Sequence, residues 1–379
     1  VYKRQNLEIA PFIFRRDSTK LPARLNLSTR GDLCFPFDGE DNWEASEGLV
    51  LPPSLSSSNS GEFGSGNQFL PLSWQSLHHD ISLLGAELQP SVIAITDAPQ
   101  LSNSGGKLVE ALIVIRRRFP SSLIWTPGIS GPDNCALLSW LGVDLFDLSR
   151  SRIANANGIL LTSDGPRYAE TSLGEHVNMG TQIDHWRYSI ASLRSAIRSG
   201  TVRELAEKAS LSSPRSVERL RRHDTSIRTD KGSSTLTAVD TSGRKLRYNS
   251  PVSRQDPLVY DWRNRVSRLH TPPSHQEQLL ILLPCSATKP YRLSQSHHRF
   301  IRNIPSNRAH QMMITSPLGL VPRELEDLWP AAHYDIPVTG DWDADELEMV
   351  NSMISDVCER VGYSEIINHS GMDVSIEGI

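Results

Sequence analysis

Hydrophobic spacing divides the chain into an irregular start, an alternation of strands and helices, a helical cluster and a second alternation. Residues 1–50 carry only weak strand signals, near 11–15 and 33–37. Residues 54–66 are rich in Ser and Gly, as a flexible loop or linker would be. From about residue 90 the pattern becomes regular. An apolar β-branched run at 91–96 precedes a helical stretch at 107–119, a short strand at 122–126, a helix at 133–141 and a strand at 143–146. Strands alternating with helices at this spacing predict parallel β/α units.

Ile183, Trp186, Ile190, Leu193 and Ile197 recur at helical spacing, which predicts an amphipathic helix over 184–199 stopped by Gly200. Thr201-Val202-Arg203-Glu204 then fits a capping box, and Ser213-Pro214 opens a third helix carrying Arg219, Arg221 and Arg222. Three short basic helices fit either a helix-turn-helix DNA module or helices that close the preceding domain. Runs at 235–239 and 245–249 around Asp240-Thr241-Ser242-Gly243 read as a hairpin. Beyond it, strands are expected at 279–283, 312–315, 334–338 and 365–368, and helices at 294–302 and 343–361. In the last helix Leu347, Val350, Ile354, Val357 and Val361 form the buried stripe, with Cys358 at its border. This is a three-layer α/β arrangement, in which ligands bind beyond the carboxyl ends of the strands. Cys285, Ser316 and Thr339 fall at such ends.

Composition narrows the picture. At 379 residues, with 38% hydrophobic and 22% charged residues, the chain is globular and long enough for two or three domains. No apolar run approaches the roughly 20 residues that span a bilayer. Cys34, Cys135, Cys285 and Cys358 form no Cys-x-x-Cys pair, so neither a zinc ribbon nor a disulfide framework is indicated, and a reducing cytoplasm fits. Neither a Cys/His ligand cluster nor a Gly-rich phosphate loop appears, so no metal or organic cofactor is expected. The net charge of −4 hides an asymmetry: residues 194–268 hold 17 Lys/Arg against 8 Asp/Glu, or +9, leaving −13 for the rest. A basic middle suggests a polyanion partner. The chain starts at Val1 without a methionine, which reads as a fragment or a non-native start.

Most of the chemistry sits in Leu283-Pro284-Cys285-Ser286-Ala287-Thr288-Lys289-Pro290-Tyr291, with Ser294 and His297 after it. An apolar strand delivers a cysteine to a turn, four residues from a lysine and just before a helix start. Such a thiol can ionise and act as a nucleophile, although buried free cysteines are commonly packing residues.

The pattern Pro-Cys-x-x-x-Lys-Pro-Tyr-x-x-Ser-x-x-His resembles the signature of the archaeosine synthases, archaeal tRNA-modifying relatives of the tRNA-guanine transglycosylases. Thr315-Ser316-Pro317-Leu318-Gly319-Leu320-Val321-Pro322-Arg323-Glu324 and Tyr334-Asp335-Ile336-Pro337-Val338-Thr339-Gly340 fit the same family, chiefly over residues 270–379. The resemblance implies a degenerate transglycosylase-like (β/α) barrel over 1–225, a basic connector over 226–269 and an α/β amine-transfer domain over 270–379. It also implies the activity: addition of an amine, lysine in the characterised route, to the nitrile of 7-cyano-7-deazaguanine in the D-loop of tRNA. Glutamine or ammonia stay open as donors.

Within that resemblance Cys285 is the nucleophile, Lys289 holds the thiolate charge, and His297 donates or accepts protons. Tyr291 stacks on the deazaguanine, Ser294 and Ser316 contact substrate, and Asp335 holds the donor's ammonium group. Upstream, residues 137–147 and 157–162 look like the late barrel segment of a transglycosylase, whose catalytic aspartate corresponds to Asp147. The zinc cluster of three cysteines and a histidine that base exchange needs does not follow Thr162, so Asp147 is expected to be a vestigial, structural acid. Family members usually carry a C-terminal PUA-type RNA-binding domain, so the resemblance implies either that the sequence is truncated after Ile379 or that this module sits on another polypeptide. A separate RNA-binding polypeptide, and a lyase that completes archaeosine, are the implied partners. The rival readings are a non-catalytic tRNA-binding subunit, a zinc-less base-exchange enzyme and a DNA-binding regulator.

Overall fold

The computed structural model describes residues 13–15, 69–79, 90, 92–104, 106–229, 245–304, 308–337 and 340–374. The expected strand at 33–37, the Ser/Gly loop at 54–66, the first hairpin arm at 235–239 and Thr339 lie outside them. The chain divides into two compact units, Val1–Thr237 and Ala238–Ile379.

The first unit runs β1 (Ile13–Arg15), β2 (Phe69–Leu72), α1 (Trp74–His79), β3 (Val92–Ile95), α2 (Ala98–Ser102), α3 (Lys107–Arg118), β4 (Leu123–Trp125), α4 (Cys135–Trp140), β5 (Leu145–Asp147), α5 (Ser149–Ala156), β6 (Ile159–Thr162), β7 (Gly165–Tyr168), α6 (Met179–Ser199), α7 (Val202–Ser210) and α8 (Pro214–Thr229). Strands β2, β3, β4 and β5 are parallel and lie side by side in chain order, with β1 antiparallel on the β5 edge. Consecutive parallel order is what a (β/α) barrel uses. Ile93, Ile124, Trp125 and Phe146 are wholly buried, as parallel strands covered on both faces should be.

The helices follow the sequence with two changes. Helix α6 begins at Met179 because Asn178 caps it, its side chain accepting from Thr181 N. The capping box expected at Thr201 does not form: Thr201 is the N-cap, but its backbone is not extended and its hydroxyl engages Ser199 Oγ at 2.9 Å. Several basic side chains of α7 and α8 turn inward. Arg203 makes a buried two-point pair with Asp224 at 2.6 and 2.8 Å, and Arg219 donates to the Ser102 carbonyl at 2.8 Å. These side chains fasten the helices to the first unit and are not presented to a nucleic acid.

The second unit contains β8 (Leu246–Arg247), α9 (Pro257–Arg268), β9 (Leu279–Pro284), α10 (Gln295–Asn303), β10 (Ala309–Thr315), β11 (Gly319–Pro322), β12 (Tyr334–Asp335), α11 (Ala344–Val361) and β13 (Glu365–Asn368). Its sheet has the order β11-β10-β9-β13, with β9 parallel to both β10 and β13 and β11 antiparallel to β10. All residues of β10 and β11 are buried, so both faces of the sheet are covered. Helices α9 and α11 pack on each other and on β11, while α10 crosses from β9 to β10. In the run 245–249, Leu246 and Arg247 pair in parallel with Tyr334 and Asp335 of β12. Leu246, Val259, Trp262 and Val266, from the stretch expected to be a connector, sit in this unit's core.

Burial of Val350, Met353, Ile354 and Val357 on one face of α11 contributes roughly 1.5–3 kcal/mol per side chain. The β10–β11 turn fits under that helix because Gly319 has φ 76° and a Cβ there would collide with Met353 Sδ. Among the described residues no helix is long and apolar enough to cross a membrane.

Candidate functional site

Strand β9 ends at Pro284 and hands Cys285 to a cavity of about 370 Å³ at the carboxyl ends of β9 and β10. Its wall includes Tyr248, Arg254, Cys285, Ser316, Trp342 and Glu346. The sheet thus places Cys285 and Ser316 together, as their strand-end positions predicted. Arg254, Glu346 and Trp342 were missed by the sequence reading, because they come from a 3-10 turn and from the start of α11. Glu346 accepts a short hydrogen bond from Ser316 Oγ and lies 3.2 Å from Arg254, whose other nitrogen pairs with Asp343 at 2.6 Å. Those ion pairs hold Arg254 above its ordinary range, the hydrogen bond it donates to Asp343 being the largest cause.

The thiol is not pre-ionised. Burial pushes the Cys285 thiol up, and the charge of Lys289 and a hydrogen bond with Thr315 pull it down without cancelling that rise. This corrects the expectation of a depressed thiol, since a strand end in a half-closed cavity loses more hydration than one lysine restores. Burial drives Lys289 the other way, disfavouring its ammonium form, while Cys285 and Asp335 oppose the shift. The ammonium lies 4.2 Å from the centre of the Tyr334 ring. Thiol and amine are therefore drawn toward each other in acidity, which lowers the cost of passing a proton between them.

Tyr291 is 0% exposed, so neither ring face is open to a base. Its stacking role is withdrawn. Its hydroxyl bonds the Tyr334 hydroxyl, which bonds Thr315 Oγ1, so Tyr291 braces from behind the threonine that bonds Cys285. Ser294 caps α10: its oxygen accepts from His297 N at 3.2 Å, a structural use in place of the expected substrate contact. Asp335 is exposed on β12, where its backbone oxygen accepts from Tyr248 N at 3.0 Å, and it is not part of the cavity wall.

His297 is wholly buried, and its two ring nitrogens are taken. Arg323 Nη2 lies 2.9 Å from Nδ1, and Nε2 lies 3.0 Å from the Pro284 carbonyl. A guanidinium can only donate, so Nδ1 accepts and Nε2 carries the proton it gives to Pro284. Burial, then the charge of Arg323, lowers the imidazole to about 4. His297 is a neutral strut under the residue before Cys285, and the acid–base role expected for it is corrected accordingly.

Asp147, at the end of β5, is also fully engaged. Its carboxylate accepts from Trp125 Nε1 and Gly128 N, each at 3.0 Å, and from Ser149 N at 2.9 Å, with no exposed surface. This is a structural acid's environment.

Residues 259–376 match a family model described as a domain of unknown function, DUF5591. Over 330 residues the chain is 30% identical to the archaeosine synthase subunit alpha of Methanosarcina acetivorans, covering 76% of this chain and 50% of that protein. The same-named protein of Thermoplasma acidophilum is 33% identical over 280 residues, 73% of this chain and 52% of its own. The chain is related to the archaeosine synthases. It spans about half the length of these curated relatives. A more distant relative is the tRNA-guanine(15) transglycosylase of Methanobrevibacter smithii, 26% identical over 190 residues, 48% of this chain and 26% of that protein. A crystal structure of AF0587, a protein of unknown function, aligns over 29% of this chain and 35% of its own at 26% identity, with a TM-score of 0.23.

Proposed function

We propose that this archaeosine synthase relative is a transferase that adds an amine to the nitrile of 7-cyano-7-deazaguanine in tRNA, with Cys285 as nucleophile. The observation that carries this reading is a cysteine at the carboxyl end of a central parallel strand, in the wall of a half-closed cavity, with the charge of Lys289 acting on its thiol. The relatives' name supplies the pathway, and the residues supply chemistry suited to it.

The sulfur of Cys285 adds to the nitrile carbon as its proton passes, by way of Lys289, to the nitrile nitrogen. This forms a thioimidate. The donor amine then attacks the same carbon, the C–S bond breaks, and the thiol recovers its proton, leaving an amidine. Both steps are additions and eliminations without net redox change, and splitting one hard addition in two is what covalent catalysis does. Lysine is the donor we favour. We read the first unit as a degenerate transglycosylase-like barrel in which Asp147 is vestigial, and the site of action as the cytoplasm. Three relatives are named as alpha subunits, so we assign this chain a partner polypeptide that contributes RNA binding or the completing lyase step.

The test is to incubate the chain with tRNA carrying 7-cyano-7-deazaguanine and free lysine, then weigh the digested nucleosides. A lysine adduct that disappears in Cys285→Ala supports the reading. Salt-sensitive tRNA binding with no adduct in either protein would point to a non-catalytic subunit.

A further inference from the structure

The sequence offered no metal-ligand cluster, yet the fold assembles one far from the cavity. His270 follows α9, His310 is the second residue of β10, and Glu324 lies in the 3-10 turn after β11. Their ligand atoms all fall within 4.8 Å of one another. Glu324 Oε1 lies 2.8 Å from His270 Nε2 and 3.1 Å from His310 Nε2. Around a tetrahedral ion with ligands at about 2.0–2.1 Å, donor atoms stand roughly 3.3 Å apart, so the two Glu324–histidine pairs need to open by only a few tenths of an ångström, and a small side-chain adjustment sets the distance between the two imidazoles.

A second observation concerns His310 alone. Its side chain is 0% exposed, and its Nδ1 is taken by the Tyr363 hydroxyl. Its Nε2, buried and aimed into the cluster, forms no well-aligned hydrogen bond; its contact there is Glu324 Oε1 at 3.1 Å. A buried imidazole nitrogen so poorly paired is costly. A hydrogen bond from the far nitrogen is also what orients metal-binding histidines. Glu324 reaches solvent, so an ion has a way in and water can complete its shell.

We propose that His270, His310 and Glu324 bind one divalent transition-metal ion. Two imidazoles and one carboxylate suit zinc best. The ion is structural, not catalytic. His310 pairs with Leu280, five residues before Cys285, which at about 3.3 Å per residue puts the cluster some 16 Å along the strand from the thiol. It would pin the end of α9, the start of β10 and the turn that also carries Arg323.

The experiment uses the full chain, stripped with chelator and titrated with Zn²⁺ by calorimetry, with Co²⁺ absorption as an independent readout. The expected result is one equivalent bound, a higher melting temperature with zinc, and a Co²⁺ spectrum without thiolate charge transfer. Glu324→Gln and His270→Gln should each weaken binding at least tenfold, while their metal-free melting stays close to that of the parent. No stoichiometric uptake would overturn the proposal. So would uptake that survives both substitutions, or uptake abolished by blocking the cysteines.

Discussion

Arg323 Nη2 stands 2.9 Å from Nδ1 of His297, and that contact decides which nitrogen of the ring carries the proton. The proton sits on Nε2, 3.0 Å from the Pro284 carbonyl, so an arginine 26 residues downstream sets the position of the peptide that presents Cys285. His297 is a positioning residue.

This arrangement has a pH signature. His297 is lowered in the folded chain from the ordinary 6.5 to about 4. Between those values the unfolded chain binds the extra proton, so stability is full above pH 6.5 and is lost as pH falls toward 4. The loss should be roughly 2–3 kcal/mol, read as a falling denaturation midpoint. His297→Gln should remove this part of the slope. Nuclear magnetic resonance should find the His297 ring silent from pH 8 to 5, and titration near 6.5 would contradict the locked tautomer.

Lys289 is placed to move the proton of Cys285. Lys289→Met should cut amine transfer by about 10²–10⁴, the usual worth of a general acid–base group. It should also slow alkylation of Cys285 by iodoacetamide at pH 8, because the charge that opposes the burial-driven rise of the thiol is gone. Peptide mass spectrometry follows the alkylation site by site. An unchanged alkylation profile would remove Lys289 from the proton path.

The buried pair of Arg203 and Asp224 holds α7 to α8. Asp224→Ala removes the two-point partner of a guanidinium that is only 6% exposed, leaving it Glu207 at 3.0 Å, and should cost about 2–4 kcal/mol in urea denaturation. The double variant Arg203→Met, Asp224→Leu should recover most of that loss. If the single variant is as stable as the parent, the pair is not what fastens these helices.

Asp147→Asn separates the two chemistries suggested by the family. The present account expects amine transfer to stay within about threefold and stability to fall by about 1–3 kcal/mol as its hydrogen bonds are disturbed. Guanine release from unmodified tRNA that depends on Asp147 would revive the base-exchange reading.

The regular helices were legible because their apolar residues repeat at helical spacing. Trp186, Ile190 and Leu193 fix α6, and Val350, Ile354 and Val357 fix α11. Helix α9 was legible too, in its capping and its apolar face. Asp256 caps it by accepting from Leu258 N, Pro257 occupies its first turn, and Val259, Trp262 and Val266 lie on one face, among arginines whose charge masks the apolar repeat. Cys285 and Ser316 were found because strand ends can be read from apolar runs. The partners that set side-chain roles could not be: Arg323 for His297, Tyr334 for Tyr291 and Glu346 for Ser316 are 26 to 43 residues away. Nearness in sequence made Tyr291 and His297 look like site residues, and burial assigned both to the support beneath it.

The most direct test of the central claim is to trap the covalent intermediate. The chain is mixed with tRNA carrying 7-cyano-7-deazaguanine in the absence of any amine donor, digested with nuclease and protease, and its cysteine peptides are weighed. The account predicts that the peptide containing Cys285 gains the mass of the nitrile-bearing nucleotide and loses it when lysine is added. Unmodified Cys285 on protein that has bound the tRNA, or the same mass gain on Cys135 or Cys358, would contradict it.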